Sequence, residues 1–325
     1  MLNRRTLVSA ALAAPLAPAA AFAADAPSGL KAAFDALARI PGTTTSGLIA
    51  TEGPKGGWRS GLDPQKPLFV GSAVKTFILA QVLRQVEAGK ISENDQWAVD
   101  DSVRMSGSQW FEKLTGTTTA RCVLEAMISQ SDDTATDICL AKVGPESVRA
   151  LVREAGLTSV RIPDSTRRLV SYLAGAPLGE DIGWAGVQRL DTGWTAGPPR
   201  AAVNDTQSMM SSADDLVRWY QTSLSGAFFQ KPATLVEYKR ILTMADALSA
   251  VVPDGLASYG KGGSIDWLDF RCFCVAGQMV VGENRASFCF TVNWTSPDSG
   301  VAPVFNGFKD AVSGALAQAA AALKG

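Results

Sequence analysis

Apolar residues recur at helical spacing through the first two thirds of the chain. The stretch 30–40 has the three- and four-residue spacing of an amphipathic helix, and 72–88, SAVKTFILAQVLRQVEA, is typical of a long apolar helix that ends at Gly89. A short strand is predicted between them, over 46–51. Further helices are predicted over 119–128, 132–143, 147–155 and 213–222. The middle of the chain is therefore expected to be helical.

Beyond Tyr259 the pattern changes to apolar runs of period two. Strands are predicted over 270–275, 278–281 and 286–294, and an alanine-rich helix over 304–323. An early strand, a late antiparallel meander and a helix at each end predict a mixed α/β fold. In it, terminal helices flank an antiparallel sheet, and an all-α lobe is inserted into the chain. The expected α/β lobe comprises about 27–70 and 207–325, and the helical lobe about 71–206.

The stretch 171–203 has no steady period and contains several Gly and Pro residues. A loop of this length within a domain is either functional or disordered. Because it contains Trp184 and Trp194, we expect a functional segment.

The first 23 residues resemble an export signal. Arg4 and Arg5 precede a short Ala/Leu-rich run that ends at Ala21-Phe22-Ala23, a small-residue cleavage site. The run is too short and too interrupted by proline for a transmembrane anchor. The paired arginines favour twin-Arg export, so the protein is expected to be periplasmic or secreted. Residues 24–325 are expected to form one domain.

The composition of the chain excludes several classes of catalytic and metal-binding site. The 325 residues include no histidine, which excludes Ser-His-Asp and Cys-His catalysis and every His-ligated metal site. A nucleophilic enzyme of this composition takes its base from Lys, a carboxylate or Tyr. The 30 Lys and Arg balance 31 Asp and Glu, so there is no electrostatic case for nucleic acid as a partner. We expect neither a metal nor another cofactor.

Five cysteines are too few for a disulfide scaffold. Cys272 and Cys274 alternate on one predicted strand and Cys289 lies on the next, so a cross-strand bridge is geometrically conceivable. Small buried apolar side chains are the more ordinary interpretation.

Ser72 and Lys75 lie one turn apart where the longest apolar helix begins. The hydroxyl and the ammonium therefore share a face, and the free N–H groups of a helix start suit a developing oxyanion. The plain alternative is an N-cap serine with a surface lysine.

Two further groups are candidates. Ser131-Asp132-Asp133 lies at another helix start, where an ordinary N-cap is the alternative. Lys261-Gly262-Gly263-Ser264 leads into the late strands, and its glycines indicate either close approach of a ligand or a simple hairpin end.

In this order and these contexts, the three groups resemble the S-x-x-K, S-D-N and K-T-G motifs of class A β-lactamases and penicillin-binding proteins. The loop Met105-Ser106-Gly107-Ser108 and the helix MISQSDDTATDICL extend the resemblance. It implies a β-lactamase-like fold with Ser72 as the acylated nucleophile and Lys75 as its activating neighbour. Ser131 would relay a proton to the leaving atom, and Lys261 would bind the substrate carboxylate.

The resemblance also implies an oxyanion hole formed by the backbone N–H groups of Ser72 and Ser264. Gly263 and Gly262 belong to the same substrate-binding strand, but Gly262 replaces the threonine of K-T-G and removes a hydroxyl. Asp133 replaces an asparagine, so an anion faces the acylamide carbonyl and favours the charged form of Lys75.

A third departure concerns deacylation. Class A enzymes activate the deacylating water with an Ω-loop glutamate, and the matching position here is Thr166. Asp164 lies nearby, and Glu180 and Asp181 belong to the insertion, so any of these three carboxylates is a candidate base. If none acts, the acyl-enzyme is long-lived.

The leading hypothesis is a serine hydrolase that cleaves a β-lactam amide through a Ser72 acyl-enzyme, with a small-molecule acyl compound as substrate. An esterase or amidase on the same fold, or a slowly deacylating penicillin-binding sensor, is the alternative. The stretch 255–261 also resembles a phosphate-binding G-x-x-x-x-G-K loop, but Gly262 lacks the required hydroxyl and a strand-like stretch follows where a helix is needed.

Overall fold

A computed structural model describes residues 26–54, 56–297 and 300–324 of the protein. The predicted export signal, 1–23, lies outside the described residues. The helices are α1 (Ser28–Ala38), α2 (Lys75–Glu87), α3 (Ala120–Ser129), α4 (Asp133–Val143), α5 (Pro145–Glu154), α6 (Thr166–Leu173), α7 (Gly183–Leu190), α8 (Ala213–Leu224), α9 (Pro232–Leu242), α10 (Asp246–Ser249) and α11 (Val301–Lys324). The strands are β1 (Thr43–Glu52), β2 (Arg59–Leu62), β3 (Leu68–Phe69), β4 (Gln96–Val99), β5 (Gly116–Thr119), β6 (Met210–Ser211), β7 (Ser258–Trp267), β8 (Phe270–Val281) and β9 (Asn284–Thr295).

The predicted mixed α/β architecture is confirmed. Five antiparallel strands form the main sheet in the order β2-β1-β9-β8-β7, which leaves β7 at one edge. The two terminal helices, α1 and α11, pack on each other and against this sheet, and Phe34 of α1 stacks on Phe290 of β9 at 5.7 Å. On the opposite face α8 packs against β1, β8 and β9. The edge position of β7 leaves its outer side free for the helical region.

Two predicted elements differ from those observed. The helix expected over 72–88 begins as a 3₁₀ turn, Gly71–Val74, and becomes α-helical only at Lys75. The separate strands expected over 270–275 and 278–281 are one strand, because Gly277 pairs with Gly260 and the sheet continues through it. β8 stays continuous at Gly277 because glycine has no side chain and lets the two backbones approach closely.

Four of the helix starts follow ordinary capping chemistry. Side chains of Thr119, Asp132, Ser165 and Ser212 each accept a hydrogen bond from a backbone N–H in the first turn of α3, α4, α6 and α8, respectively. Such caps satisfy donors that a helix end otherwise leaves without partners. The starts of α3, α4 and α8 lie within one residue of those predicted from the sequence, whereas α6 was not predicted.

The segment 171–203 contains the end of α6 and all of α7, and long-range side-chain contacts define its path. Arg200 donates to the carbonyl of Tyr172 and stacks over its ring, 4.3 Å from the centroid. Arg167 is buried and pairs with Asp181 through two hydrogen bonds, of 3.1 and 2.6 Å. These contacts fold the insertion back onto the helical region.

All five cysteines are free thiols, and all but Cys122 are buried. The conceivable cross-strand bridge is therefore not formed. Within the described parts of the chain, no helix combines the length and the hydropathy needed to cross a membrane.

Asn293 of β9 holds the strand that leads to Ser72. Its Oδ1 accepts from Phe69 N at 2.9 Å, and its Nδ2 donates to Phe69 O at 2.8 Å. The buried amide thus pairs with the backbone of β3 as a neighbouring strand would. The carbonyl of Phe69 also accepts from the Cys272 thiol, so β3 is joined to two strands of the main sheet.

Asn293→Ala is expected to destabilise the protein by about 1–3 kcal/mol, because it leaves the N–H of Phe69 buried without this partner. Urea unfolding of the variant and the wild type measures the difference. The exposed Asn94→Ala is the matched control and should change stability by less than about 0.5 kcal/mol. Equal stabilities of the two variants would contradict the role of the amide.

Candidate active site

Ser72 lies in the 3₁₀ turn between β3 and α2 and is partly exposed. Gly71, immediately before it, has φ +53°, a conformation that favours glycine. The turn presents Ser72 at the edge of the main sheet, where it contacts β7. The local sequence therefore brings a hydroxyl to the junction of sheet and helices.

Lys75 is the first residue of α2 and its side chain is fully buried, with 0% exposure. Its Nζ donates to Ser131 O at 2.5 Å, to Ser131 Oγ at 3.3 Å and to Asp133 Oδ1 at 2.7 Å. A buried ammonium needs such partners, because desolvation of an unpaired charge costs several kcal/mol. Among the described residues its hydrogen bonds go to the start of α4, and none goes to Ser72.

Ser131 connects α3 to α4 in the left-handed conformation, with φ +57°. The next residue, Asp132, holds the turn: its Oδ1 accepts from Ala135 N, and its Oδ2 accepts from the N–H groups of Trp110 and Phe111. A non-glycine residue with positive φ is uncommon, and here the surrounding hydrogen bonds hold it. The Ser131 hydroxyl is thereby kept beside Lys75.

The loop Met105-Ser106-Gly107-Ser108 packs on the same helix start. The N–H and hydroxyl of Thr134 are each 2.9 Å from Ser108 Oγ, and the Thr134 hydroxyl accepts from Met105 N. Two of the motifs that the sequence analysis singled out are therefore parts of one hydrogen-bonded unit.

Lys261 brings the third motif to the site from the edge strand β7. It is buried, with 1% exposure, and it lines one cavity together with Ser131 and the stretch Gly262-Gly263-Ser264. Burial lowers the pKa of Lys261 to about 7, and the nearby Lys75 ammonium acts in the same direction. An anionic ligand beside Lys261 would favour its charged form.

Close contact of two glycines aligns the backbone of the 3₁₀ turn with β7. A Cβ on Gly263 would lie 2.8 Å from Ser72 N, and a Cβ on Gly71 would lie 2.8 Å from Ser264 N. Both distances are shorter than real side chains tolerate, so glycine is required on both sides. The two N–H groups predicted for an oxyanion hole thus belong to segments in direct contact.

Gly262 faces the opposite side of β7, against α10. A Cβ at this position would lie 2.4 Å from Ala247 Cβ. The absence of a threonine in this motif therefore has a steric reason, because α10 packs where its side chain would be.

The arrangement combines a partly exposed hydroxyl, two buried lysines, a second hydroxyl and paired backbone donors, which suits acyl transfer without histidine. The family model for the β-lactamase enzyme family matches residues 30–272. The chain belongs to the β-lactamase enzyme family.

Solved structures of this family share the fold at low sequence identity. A β-lactamase from Sphaerobacter thermophilus is 16% identical with a TM-score of 0.69, over 91% of this chain and 97% of the other. The class A β-lactamase of the last common ancestor of Gram-negative bacteria is 17% identical, with a TM-score of 0.68 over 90% and 99%. PBP-A is 14% identical, with a TM-score of 0.66 over 90% and 96%, and a variant of it is described as an acyl-enzyme complex with penicillin G. No curated protein sequence matches the chain.

Thr166, which the sequence analysis matched to the Ω-loop glutamate of class A β-lactamases, begins α6, and Asp137 holds its backbone N–H. The Asp137 carboxylate accepts from Thr166 N at 2.6 Å and from Arg167 N at 2.9 Å. The Thr166 hydroxyl is buried near this carboxylate without a hydrogen bond of standard geometry. The Asp137 carboxylate thus holds the start of α6, whereas the side chain of Thr166 itself is neutral.

The three carboxylates considered for deacylation have other partners or face solvent. Asp164 pairs with Arg149 at 2.6 Å and accepts from Gln207, and these residues line a separate cavity. Asp181 pairs with Arg167, as described above, and Glu180 is exposed. None of the three forms a hydrogen bond or ion pair with Ser72, Lys75 or Ser131 in the described structure, so the structure does not bring them into the cluster.

Sequence reasoning missed Asp137 and Ala247. Asp137 lies four residues after Asp133, so helical spacing places both carboxylates on one face of α4, and this signal was available. Ala247 carries no comparable signal, because its contact with Gly262 depends on the packing of α10 on β7.

The titration of Asp137 is expected to affect stability. Burial raises the pKa of Asp137 to about 7, and the nearby Asp133 carboxylate adds to this effect. Between about pH 4 and pH 7 the folded state therefore binds the proton that the unfolded state releases, so this group's contribution falls as the pH rises. Asp137→Asn should remove that slope, and urea unfolding of both proteins at pH 5, 6 and 7 measures it.

The exposed Asp310→Asn is the control for this comparison and should leave the slope unchanged. A constant difference between wild type and Asp137→Asn across these pH values would show that Asp137 does not titrate there.

Gly262→Thr, which restores the family motif, is expected to cost about 1–3 kcal/mol because the new side chain overlaps Ala247. Adding Ala247→Gly should recover part of the loss by removing the opposing methyl group. Chemical unfolding of the two single variants and the double variant gives the coupling energy. Additive effects would contradict the steric explanation.

Proposed function

We propose that the protein is a serine hydrolase that forms an acyl-enzyme on Ser72, with β-lactam amides as the leading substrate class. The observation that carries the proposal is the convergence of three separate parts of the chain. Lys75, one turn after Ser72, contacts Ser131, the strand of Lys261 packs on the turn of Ser72, and Ser131 and Lys261 line one cavity. Membership of the β-lactamase family supports the same chemistry.

In the proposed acylation, Ser72 Oγ attacks the substrate carbonyl carbon and the carbonyl oxygen becomes an oxyanion. Lys75 acts in this step as the free amine, so the ammonium that pairs with Asp133 first releases a proton to solvent, and the amine then takes the Ser72 hydroxyl proton. Ser131 Oγ, 3.3 Å from Lys75 Nζ, hands a proton on to the leaving nitrogen as the C–N bond breaks. Lys75 is thus restored, and the product of this half-reaction is an ester on Ser72.

The surrounding groups stabilise the charges that develop. The N–H groups of Ser72 and Ser264 receive the oxyanion, and such donors contribute about 3 kcal/mol each in serine hydrolases. Lys261, as an ammonium, pairs with a substrate carboxylate. Asp133 pairs with Lys75 and keeps it beside Ser131, at the cost of an anion near the acylamide carbonyl.

Hydrolysis of the acyl-enzyme needs a water molecule and a base. Thr166 is neutral, and Asp164 and Asp181 are held in ion pairs away from the cluster. These observations favour a second candidate function, a penicillin-binding sensor whose acyl-enzyme persists. An esterase or amidase is a third candidate, favoured by the Asp133 anion, which suits an acyl group without an amide carbonyl.

The export signal predicted over 1–23 supports a location in the periplasm or outside the cell. We propose that the mature protein begins after Ala23 and acts there on a small acyl compound.

Purified mature protein, incubated with benzylpenicillin, nitrocefin and p-nitrophenyl esters, is expected to gain the mass of the acyl group on Ser72. Intact mass spectrometry over time detects the adduct, and peptide mapping locates it. Ser72→Ala should abolish the adduct, and Lys75→Ala should slow its formation at least 100-fold because the base is lost. The exposed Ser225→Ala is the matched control and should acylate normally.

The lifetime of the adduct separates the candidates. Loss of a β-lactam adduct with turnover supports a β-lactamase, a permanent adduct supports a sensor, and turnover of esters alone supports an esterase. No adduct with any compound would exclude the Ser72 mechanism.

A further inference from the structure

A cavity of about 290 Å³ continues from Lys261 and Ser131 over the edge of β7 toward the C-terminal helix. No step of the proposed reaction uses most of its lining. One wall is aromatic and is formed by Phe273 of β8 with Phe305 and Phe308 of α11. In the proposed reaction Ser131 serves the leaving atom and Lys261 the substrate carboxylate, and both residues line this cavity, so we assign it to the leaving part of a substrate.

The aromatic wall is a packed unit with one accessible ring. Phe273 makes an edge contact with Phe305 at 5.1 Å between ring centroids and a stacked contact with Phe308 at 6.4 Å. Phe308 is buried, whereas Phe305 is 41% exposed. An exposed aromatic ring beside a cavity is available for stacking on a ligand ring.

The opposite wall is apolar and close-packed because β7 carries glycine there. Ala247 of α10 lies directly on Gly262, so position 262 presents no hydroxyl to the cavity. Ala250 and Val251 continue the same wall. A ligand group here meets carbon on both sides.

The charges of the cavity lie at its two ends. Lys261 is buried, Lys309 of α11 is partly exposed and lies 3.8 Å from the exposed Asp310 outside the lining, and Asp246 is the single acidic side chain among the lining residues. The excess of lysine favours a ligand that carries one negative charge.

We propose that this cavity binds the leaving part of the substrate and selects an aromatic ring that bears a carboxylate, with Phe305 and Lys309 as specificity residues. The inference rests on the proposed Ser72 acyl transfer and names its substrate class more closely. The ring stacks on Phe305 between the aromatic wall and Ala247, and the carboxylate lies within reach of the lysines.

Three esters that share a phenylacetyl acyl group test this selection. Their leaving groups are 3-carboxyphenoxide, phenoxide and glycolate, which carry ring and charge, ring only, and charge only. All three give the same acyl-enzyme, so differences in kcat/KM arise in acylation and binding of the leaving group.

Phe305→Ala is expected to lower kcat/KM about 3- to 10-fold for the two aryl esters and less than 2-fold for the glycolate ester. Lys309→Met is expected to lower kcat/KM about 2- to 5-fold for the two carboxylate esters and to leave the phenyl ester unchanged. The exposed Val236→Ala, on α9, is the control and should change none of them. Phe305→Leu keeps the apolar bulk and serves if the alanine variant folds poorly.

A failure of the proposed function and a failure of the aromatic subsite give different results. If intact mass shows no acyl-enzyme with any ester, the proposed function itself is wrong for these substrates. If the wild type is acylated but Phe305→Ala lowers all three rates equally, or none, the aromatic subsite is refuted while Ser72 acylation stands.

Discussion

The arrangement of the site depends on the burial of one ammonium group, that of Lys75. An isolated buried charge is costly, and the chain meets that cost with a backbone carbonyl, a hydroxyl and a carboxylate from a single helix start. The turn at Ser131 adopts an uncommon backbone conformation to supply two of them. The same three contacts join α2 to α4, so the position of the reactive serine and the packing of the helical region are consequences of one ion pair and its hydrogen bonds.

The edge strand β7 has a complementary role. Its glycines let two different segments approach from opposite sides: the 3₁₀ turn with Ser72 on one side and α10 on the other. A side chain at Gly263 would displace backbone atoms of the 3₁₀ turn, and one at Gly262 would overlap the Cβ of Ala247. The departure from the family's threonine is therefore part of the packing of this chain, because α10 lies where that side chain would be.

Much of the fold and most of the cluster could be predicted from the sequence, because they depend on local patterns. Capping residues indicated where α3, α4 and α8 begin, and i, i+3 spacing paired Ser72 with Lys75. The strand β3, the helix α10 and the path of the insertion had no such signal. They depend on contacts between residues far apart in the chain, such as Asn293 with Phe69, Ala247 with Gly262 and Arg200 with Tyr172. The start of α6 is similar, since Asp137 acts on it through backbone N–H groups that any sequence has.

The contact made by the Asn293 amide also determines when the site can form during synthesis of the chain. It lies 224 residues after Phe69, the residue it holds in place beside Ser72. A nascent chain that has not yet supplied β9 lacks the contact that fixes the strand before Ser72. We therefore expect Ser72 to reach its final place only after nearly the whole chain has been synthesised. Under the proposed function, a partly made molecule would not yet react with acyl compounds.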